Sequence, residues 1–133
     1  MMEEAVMADD VCKLSFSLKR RRVLIHRSTL KALEHPQNIR FLMNKKKCRV
    51  AVQSCEAIDR DNFIVPDLKP SETYEITSIS FLKVIYSLAG WDEDKTYRVE
   101  GSFYGENHLV EFLLKSAEVI TDDDFVDQEA VSL

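Results

Sequence analysis

Two clusters of positively charged side chains are the residues of this chain best suited to binding chemistry. They comprise Lys19, Arg20, Arg21, Arg22 and Arg27 in the first cluster, and Lys45, Lys46, Lys47 and Arg49 in the second. Ammonium and guanidinium groups bind phosphate oxygens, and each phosphate contact releases counterions, so this binding depends steeply on salt. A basic strand or hairpin can also enter the major groove, where arginine reads guanine edges. The clusters together therefore favour contact with the backbone of nucleic acid.

Each cluster also has a simpler explanation. Natural sheets place Lys and Arg on exposed edge strands, where the charges prevent pairing with other chains. For the turn at Lys45 taken alone we favour this explanation, and for both clusters together we favour contact with a polyanion. If residues 19–22 continue a strand, Lys19 and Arg21 share one face and Arg20 and Arg22 share the other.

The charge of the chain is divided along its length. Residues 13–60 hold 13 of the 18 Lys and Arg and three of the 23 Asp and Glu, a net charge of +10. Residues 61–133 carry five bases and 16 acids, a net charge of −11, and residues 1–12 carry −4. Such asymmetry indicates what a surface attracts, such as phosphate or an acidic partner.

An acidic run lies in the last segment, at Asp122, Asp123 and Asp124, with Asp127 and Glu129 beyond it. It can fold back on the basic window and mask that window from nucleic acid. It can also contact the basic patch of a partner, or form a solvated tail. A terminal acidic run is most often a solvated tail, so that alternative is favoured, and the sequence leaves the other two open.

The sequence gives little support to catalysis. The three histidines are His26, His35 and His108, and none belongs to a Ser or Cys nucleophile motif. Three glycines can hardly build a loop that cradles phosphate. We therefore expect no enzymatic activity and no cofactor.

Three cysteines, Cys12, Cys48 and Cys55, form no CxxC pair. A zinc site made of Cys48, Cys55 and a histidine matches no established ligand spacing, so small thiols without a metal are the favoured interpretation. An odd number of unpaired cysteines suits the reduced cytoplasm. No apolar stretch approaches the roughly 20 residues that span a bilayer, so we expect a cytoplasmic chain without membrane contact.

Hydrophobic patterning predicts two similar series of elements. The first contains strands at 14–18, 23–25, 39–43 and 48–53, with a short helix that Ser28 or Thr29 caps and Pro36 ends. The second contains a strand at 74–77, a helix at 81–88 that Gly90 ends, and strands at 96–103 and 108–114. Val23 corresponds to Tyr74, and the turn at Lys45 corresponds to the turn at Gly105.

Each half therefore has the order strand, helix, then a hairpin of two strands. We predict a β-rich α+β fold in which two β-α-β-β units interleave into one barrel-like sheet domain, since neither unit has enough strands to close a core. The predicted segments are a flexible acidic N-terminus at 1–12, a basic half at 13–58, a connecting loop at 59–72, an acidic half at 73–120 and an acidic C-terminal tail at 121–133.

The stretch Arg22–Leu33, followed by 39–43 and the return strand 48–53, resembles one half of an AbrB-type swapped-hairpin domain. It is also similar to small proteins of bacterial mobile elements, and a duplicated chain would resemble the tandem MraZ and SpoVT arrangement. In the AbrB-type family, basic residues on and near the first strand contact DNA. The resemblance implies this role for Arg20, Arg21, Arg22 and Arg27.

The leading expectation is a cytoplasmic bacterial module that binds nucleic acid and regulates transcription. The alternative is a non-enzymatic protein-interaction module. In that case the basic window binds an acidic protein surface, or meets the acidic half of a second copy to form a homo-oligomer. Binding of duplex DNA at several salt concentrations separates the two.

Overall fold

The computed structural model describes residues 11–68 and 73–127, the last two by their backbone alone. Most of the predicted N-terminal segment, residues 69–72 of the predicted loop and residues 128–133 of the predicted tail lie outside the described residues. The strands are β1 Cys12–Ser17, β2 Arg22–Ile25, β3 Asn38–Asn44, β4 Arg49–Ser54, β5 Phe63–Ile64, β6 Tyr74–Ile76, β7 Thr96–Tyr104, β8 Leu109–Leu113 and β9 Glu118–Ile120. The α-helices are α1 Arg27–Ala32, α2 Ile79–Ala89 and α3 Asp122–Asp127.

All the described strands belong to one antiparallel sheet. Eight of them follow the order β5-β3-β4-β8-β7-β1-β2-β6, and β9 pairs with β7. A hydrogen bond between the two end strands shows that the sheet is strongly curled. The Tyr74 hydroxyl of β6 donates it to the Ile64 carbonyl of β5, at 2.9 Å. The predicted fold class, a β-rich α+β domain of two interleaved units in a barrel-like sheet, is confirmed.

The pairing register relates the two β-α-β-β units by a pseudo-two-fold axis. Strand β4 pairs with β8 around Ala51 and Glu111, and β2 pairs with β6 around Leu24 and Glu75. Both pairings are antiparallel, so each central pair lies on a local two-fold axis. Equivalent strands thus pair with one another, and the units are interleaved rather than side by side.

The two hairpin turns have the same backbone geometry although they share no residue. Each ends on a non-glycine residue in the left-handed region, Cys48 with φ 55° and His108 with φ 52°. The Cys48 amide donates to the Lys45 carbonyl and the His108 amide to the Gly105 carbonyl, both at 3.3 Å. This correspondence is the one that the sequence predicts between the Lys45 and Gly105 turns.

The helices begin and end for different local reasons. In α2 the Ser78 hydroxyl accepts a hydrogen bond from the Phe81 amide, and Gly90 with φ 70° ends the helix as predicted. Helix α1 has no side-chain cap, so the predicted caps are wrong. The Thr29 hydroxyl instead bonds both the amide and the carbonyl of Lys13, which fastens α1 to β1. No helix in the described ranges is long and apolar enough to cross a membrane.

Candidate nucleic-acid interface

The first basic cluster lies mainly on a turn. Residues Lys19, Arg20 and Arg21 connect β1 to β2, and only Arg22 belongs to a strand. Arg21 has φ 61°, and its amide donates a 3.0 Å hydrogen bond to the Leu18 carbonyl. Residues 19–21 therefore do not continue the strand, and the alternation of side chains expected on a strand does not apply to them. Inward-facing side chains of β1 and β2 lie in the apolar core, where burying a charge is costly. On the turn the charges of Lys19, Arg20 and Arg21 are all exposed.

The second basic cluster occupies the turn between β3 and β4. Lys45, Lys46 and Lys47 are all exposed at its tip. The Asn44 side chain accepts a 3.0 Å hydrogen bond from the Lys47 amide, which fixes the turn locally. None of the three lysines forms an ion pair with a described residue. Their ammonium groups are thus available to an external anion.

The fold brings the two basic turns to the same end of the sheet. Strands β1 and β3 run in the same direction in the antiparallel order, so the turns that follow them project together. Three strand spacings separate β1 from β4, which is roughly 14 Å across the strands. Arg27 is not part of this surface, because it follows β2, which runs back to the opposite end.

Carboxylates of the same chain pair with three residues of the first cluster. Asp122 Oδ2 lies 2.9 Å from Lys19 Nζ and 3.8 Å from Arg20 Nη2. Glu75 Oε1 lies 3.3 Å from Arg22 Nη1. The hydrogen bond from the Lys19 ammonium is the main reason that the pKa of Asp122 is lowered. The first cluster is therefore not a free basic patch.

Arg49 is also paired, although it belongs to the second cluster in the sequence. It lies on β4, and its Nη1 donates a 3.1 Å hydrogen bond to Glu111 Oε1 of the neighbouring β8. This pair joins the two units across their central contact. Arg49 therefore serves the β4–β8 pairing, while the exposed lysines of the turn remain without a described carboxylate partner.

The acidic run at 122–124 is part of a helix packed on the sheet and not of an unstructured tail. It forms the first turn of α3, where the Thr121 hydroxyl accepts a 3.0 Å hydrogen bond from the Asp124 amide. The Phe125 side chain is 2% exposed, and Arg98 Nη2 donates to the Asp124 carbonyl at 3.3 Å. Of the three alternatives that the sequence offers, the described part of this segment adopts the first, which is to fold back on the basic window.

A second acidic segment lies at the same end of the sheet. The turn Asp92–Asp94 immediately precedes β7, and β7 is the neighbour of β1 in the sheet. The Tyr97 hydroxyl accepts a 3.0 Å hydrogen bond from the Asp92 amide, which holds this turn in place. In strand order the acidic turn lies between the two basic turns, so positive and negative charges alternate across this end.

One polar pair has no counterpart in the sequence prediction. Ser15 Oγ lies 2.8 Å from His26 Nε2, and both side chains are buried, with Ser15 fully inaccessible. Arg98 Nε donates to the same Ser15 oxygen at 3.4 Å. A serine next to a histidine is the start of a nucleophilic centre, but a substrate cannot reach a fully buried hydroxyl. In the folded protein the two side chains form a hydrogen bond that joins β1 to the end of β2.

The cysteines lie apart from one another. Cys12 and Cys48 are buried and Cys55 is half-buried, and none of the three forms a disulfide. Burial is the main reason that the pKa of the Cys55 thiol is raised, and Asp59 contributes further. In the ranges that the structure describes, no group of three or more His, Cys, Asp or Glu is arranged to hold a metal ion.

Comparisons of the chain with family models, with curated proteins and with solved structures gave no match. A functional assignment therefore depends on the chain's own residues and their geometry.

Proposed function

We propose that this chain binds the phosphate backbone of nucleic acid through the two basic turns at one end of its sheet. The observation that carries the proposal is the lysine turn, Lys45–Lys47, which is exposed at a hairpin tip and lacks an ion pair with any described residue. It projects from the same end of the sheet as the Lys19–Arg22 turn. Lysine side chains on a tip reach outward and act as point charges toward phosphate.

The spacing of the two turns suits a backbone with regularly spaced charges. Over roughly 14 Å, B-DNA carries about eight phosphate charges. The acidic turn Asp92–Asp94 repels phosphate between the two basic turns. We therefore expect contact with two separate backbone segments. The AbrB-type resemblance supports Arg20, Arg21 and Arg22 in this role, whereas Arg27 lies too far from them to share one contact surface.

The competing proposal is an interaction module in which opposite charges of two copies meet. Asp122, Glu75 and Glu111 already pair with bases of their own chain. The lysine turn, by contrast, has no carboxylate partner among the described residues and can contact phosphate without breaking an ion pair. Nucleic acid is the better supported ligand, and self-association is the other result that the binding experiment can give.

Replacing Lys46 and Lys47 with alanine is expected to weaken binding of duplex DNA by about tenfold, because two phosphate contacts are lost. The measurement is fluorescence anisotropy of a labelled duplex, titrated with the protein at several salt concentrations. The salt slope should fall by about two for the double variant. The matched control is K31A/R60A, which removes the same charge from exposed positions outside the two basic turns.

Equal losses in K46A/K47A and in the control would show that only net charge matters, and would reject the lysine turn as a site. Absence of binding of the wild type to duplex and single-stranded nucleic acid would reject the lysine turn as a site. If the protein instead self-associates in sedimentation, and salt abolishes that association, the interaction module becomes the better explanation.

A further inference from the structure

The short helix α3 is held on the sheet by one buried apolar side chain and two hydrogen bonds. Phe125 is buried at 2% exposure, which anchors the helix by its apolar side chain. The Thr96 hydroxyl donates to Asp122 Oδ1 at 3.4 Å, and Arg98 donates to the Asp124 carbonyl. Thr96 and Arg98 both belong to β7, on the face opposite to that of the buried Tyr97 and Val99. Asp122 is therefore fixed beside the first basic turn.

The Asp122 carboxylate lies where a phosphate group would have to lie in order to contact Lys19 and Arg20. Its carboxylate accepts from the Lys19 ammonium and approaches the Arg20 guanidinium, with side chains that are 38 to 42% exposed. A phosphate oxygen binds the same donors in the same way, because both groups are anionic acceptors. The Asp122 carboxylate neutralises part of the charge of Lys19 and Arg20 and repels a phosphate placed beside them, so carboxylate and phosphate compete. The pairs are half-exposed and therefore weak enough to exchange.

We propose that α3 is an intramolecular competitor that keeps the first basic turn from nucleic acid until α3 is displaced. The inference rests on the proposed function, since it concerns access to the same surface. In the closed state the lysine turn, Lys45–Lys47, makes the contact alone. When α3 is displaced, Lys19 and Arg20 add a second contact, which raises the affinity and makes its salt dependence steeper.

The test measures the same labelled duplex with Asp122→Asn. Asparagine keeps the shape of the side chain and its acceptor for Thr96, but it removes the charge that holds Lys19 and Arg20. We expect binding to tighten about fivefold and the salt slope to rise by about one to two, because two cations become available to phosphate. The matched control is Asp123→Asn on the same helix, because Asp123 is exposed and forms no ion pair with a described residue. It should change the affinity less than twofold.

A second variant, Phe125→Ala, releases the helix without changing any charge. It should tighten binding in the same direction as D122N, and a gain here cannot arise from net charge. Replacing Lys19 and Arg20 with alanine should change the affinity for the duplex little in the wild type, and should weaken it about tenfold in the D122N background.

The outcomes separate this inference from the proposed function. If K46A/K47A weakens binding but D122N and D123N behave alike, the lysine turn is a site and α3 is not a competitor. If neither the wild type nor D122N binds any duplex, both the proposed function and the inference are rejected. If the wild type does not bind and D122N does, the lysine turn alone is not a site, whereas the blocking of the first basic turn by α3 is supported.

Discussion

Replacing Gly101 with alanine is expected to lower the free energy of unfolding by about 3 kcal/mol, the upper range for overpacking a core. A Cβ at this position would lie 2.5 Å from Cε2 of Phe112 and 2.9 Å from the Glu111 carbonyl oxygen. Phe112 is fully buried, and the carbonyl belongs to the backbone of β8, so neither can move aside cheaply. Urea unfolding followed by the fluorescence of Trp91, the single tryptophan, measures the change.

The pseudo-symmetry explains why this position requires glycine. In the first hairpin Phe41 faces Val52, and at the corresponding place in the second hairpin Gly101 faces Phe112. The aromatic residue is on the first strand of the first hairpin, as Phe41, and on the second strand of the second hairpin, as Phe112. One ring fills the space at each site, so the two hairpins keep a similar backbone with different residues. A side chain at 101 would place two groups where the fold has room for one.

Two comparisons isolate the cause of the destabilisation. Gly105→Ala should change stability by less than about 0.5 kcal/mol, because its Cβ would meet only the Phe103 ring at 3.4 Å. Phe112→Val should restore part of the stability of G101A by removing the ring that clashes. If the double variant shows the sum of the two single losses, the contact between 101 and 112 does not limit the fold.

Much of the fold can be predicted from the sequence because its signals are local. Alternating apolar residues define β1, β3 and β7, and Gly90 in the left-handed region ends α2. The equivalence of the Lys45 and Gly105 turns also follows from pattern alone. Such features depend on neighbours within a few residues, so one sequence contains them.

Three described elements have no such signal. Strand β5 has two residues and lies inside the predicted connecting loop, where pairing with β3 defines it. Strand β9 exists because β7 offers it an edge beyond β8. Helix α3 carries a single described buried residue, Phe125, among acidic ones. Each depends on a surface that another part of the chain provides, which periodicity cannot show.

The candidate site, like the fold, can be predicted from the sequence only in part. The sequence identifies which residues are basic, but not which of them remain available. Lys19 and Asp122 are more than 100 residues apart in the chain, yet they form a 2.9 Å ion pair. The position of Arg27 at the opposite end of the sheet and the pairing of Arg49 with Glu111 follow only from strand order and register.

Replacing Tyr86 with phenylalanine is the second change with a large expected effect, a loss of about 2 kcal/mol. The buried Tyr86 hydroxyl lies 2.7 Å from the Lys95 carbonyl and 3.1 Å from the Phe16 carbonyl, and it accepts from the Leu18 amide at 3.2 Å. It thereby joins α2 to the end of β1 and the start of β7. Phenylalanine keeps the ring packing on Trp91 and Tyr97 but leaves these backbone groups without the hydroxyl.

Urea unfolding at neutral pH measures this loss, and Tyr104→Phe is the matched control. Tyr104 is 47% exposed, so removal of its hydroxyl should change stability by less than about 0.5 kcal/mol. An equal loss in the two variants would mean that the buried hydrogen bonds of Tyr86 contribute nothing beyond those of a surface phenol.

The pH dependence of stability tests the same hydroxyl from the other direction. Burial raises the pKa of Tyr86 to about 12, above the value near 10 of the unfolded chain. The contribution of the protonated Tyr86 hydroxyl to the free energy of unfolding is therefore fully present below pH 10. It is lost as the pH rises toward 12, by about 1.4 kcal/mol per pH unit. Other groups titrate in this range in both proteins, so the difference between wild type and Y86F isolates Tyr86. Parallel curves from pH 10 to 12 would show that the folded protein does not hold this proton.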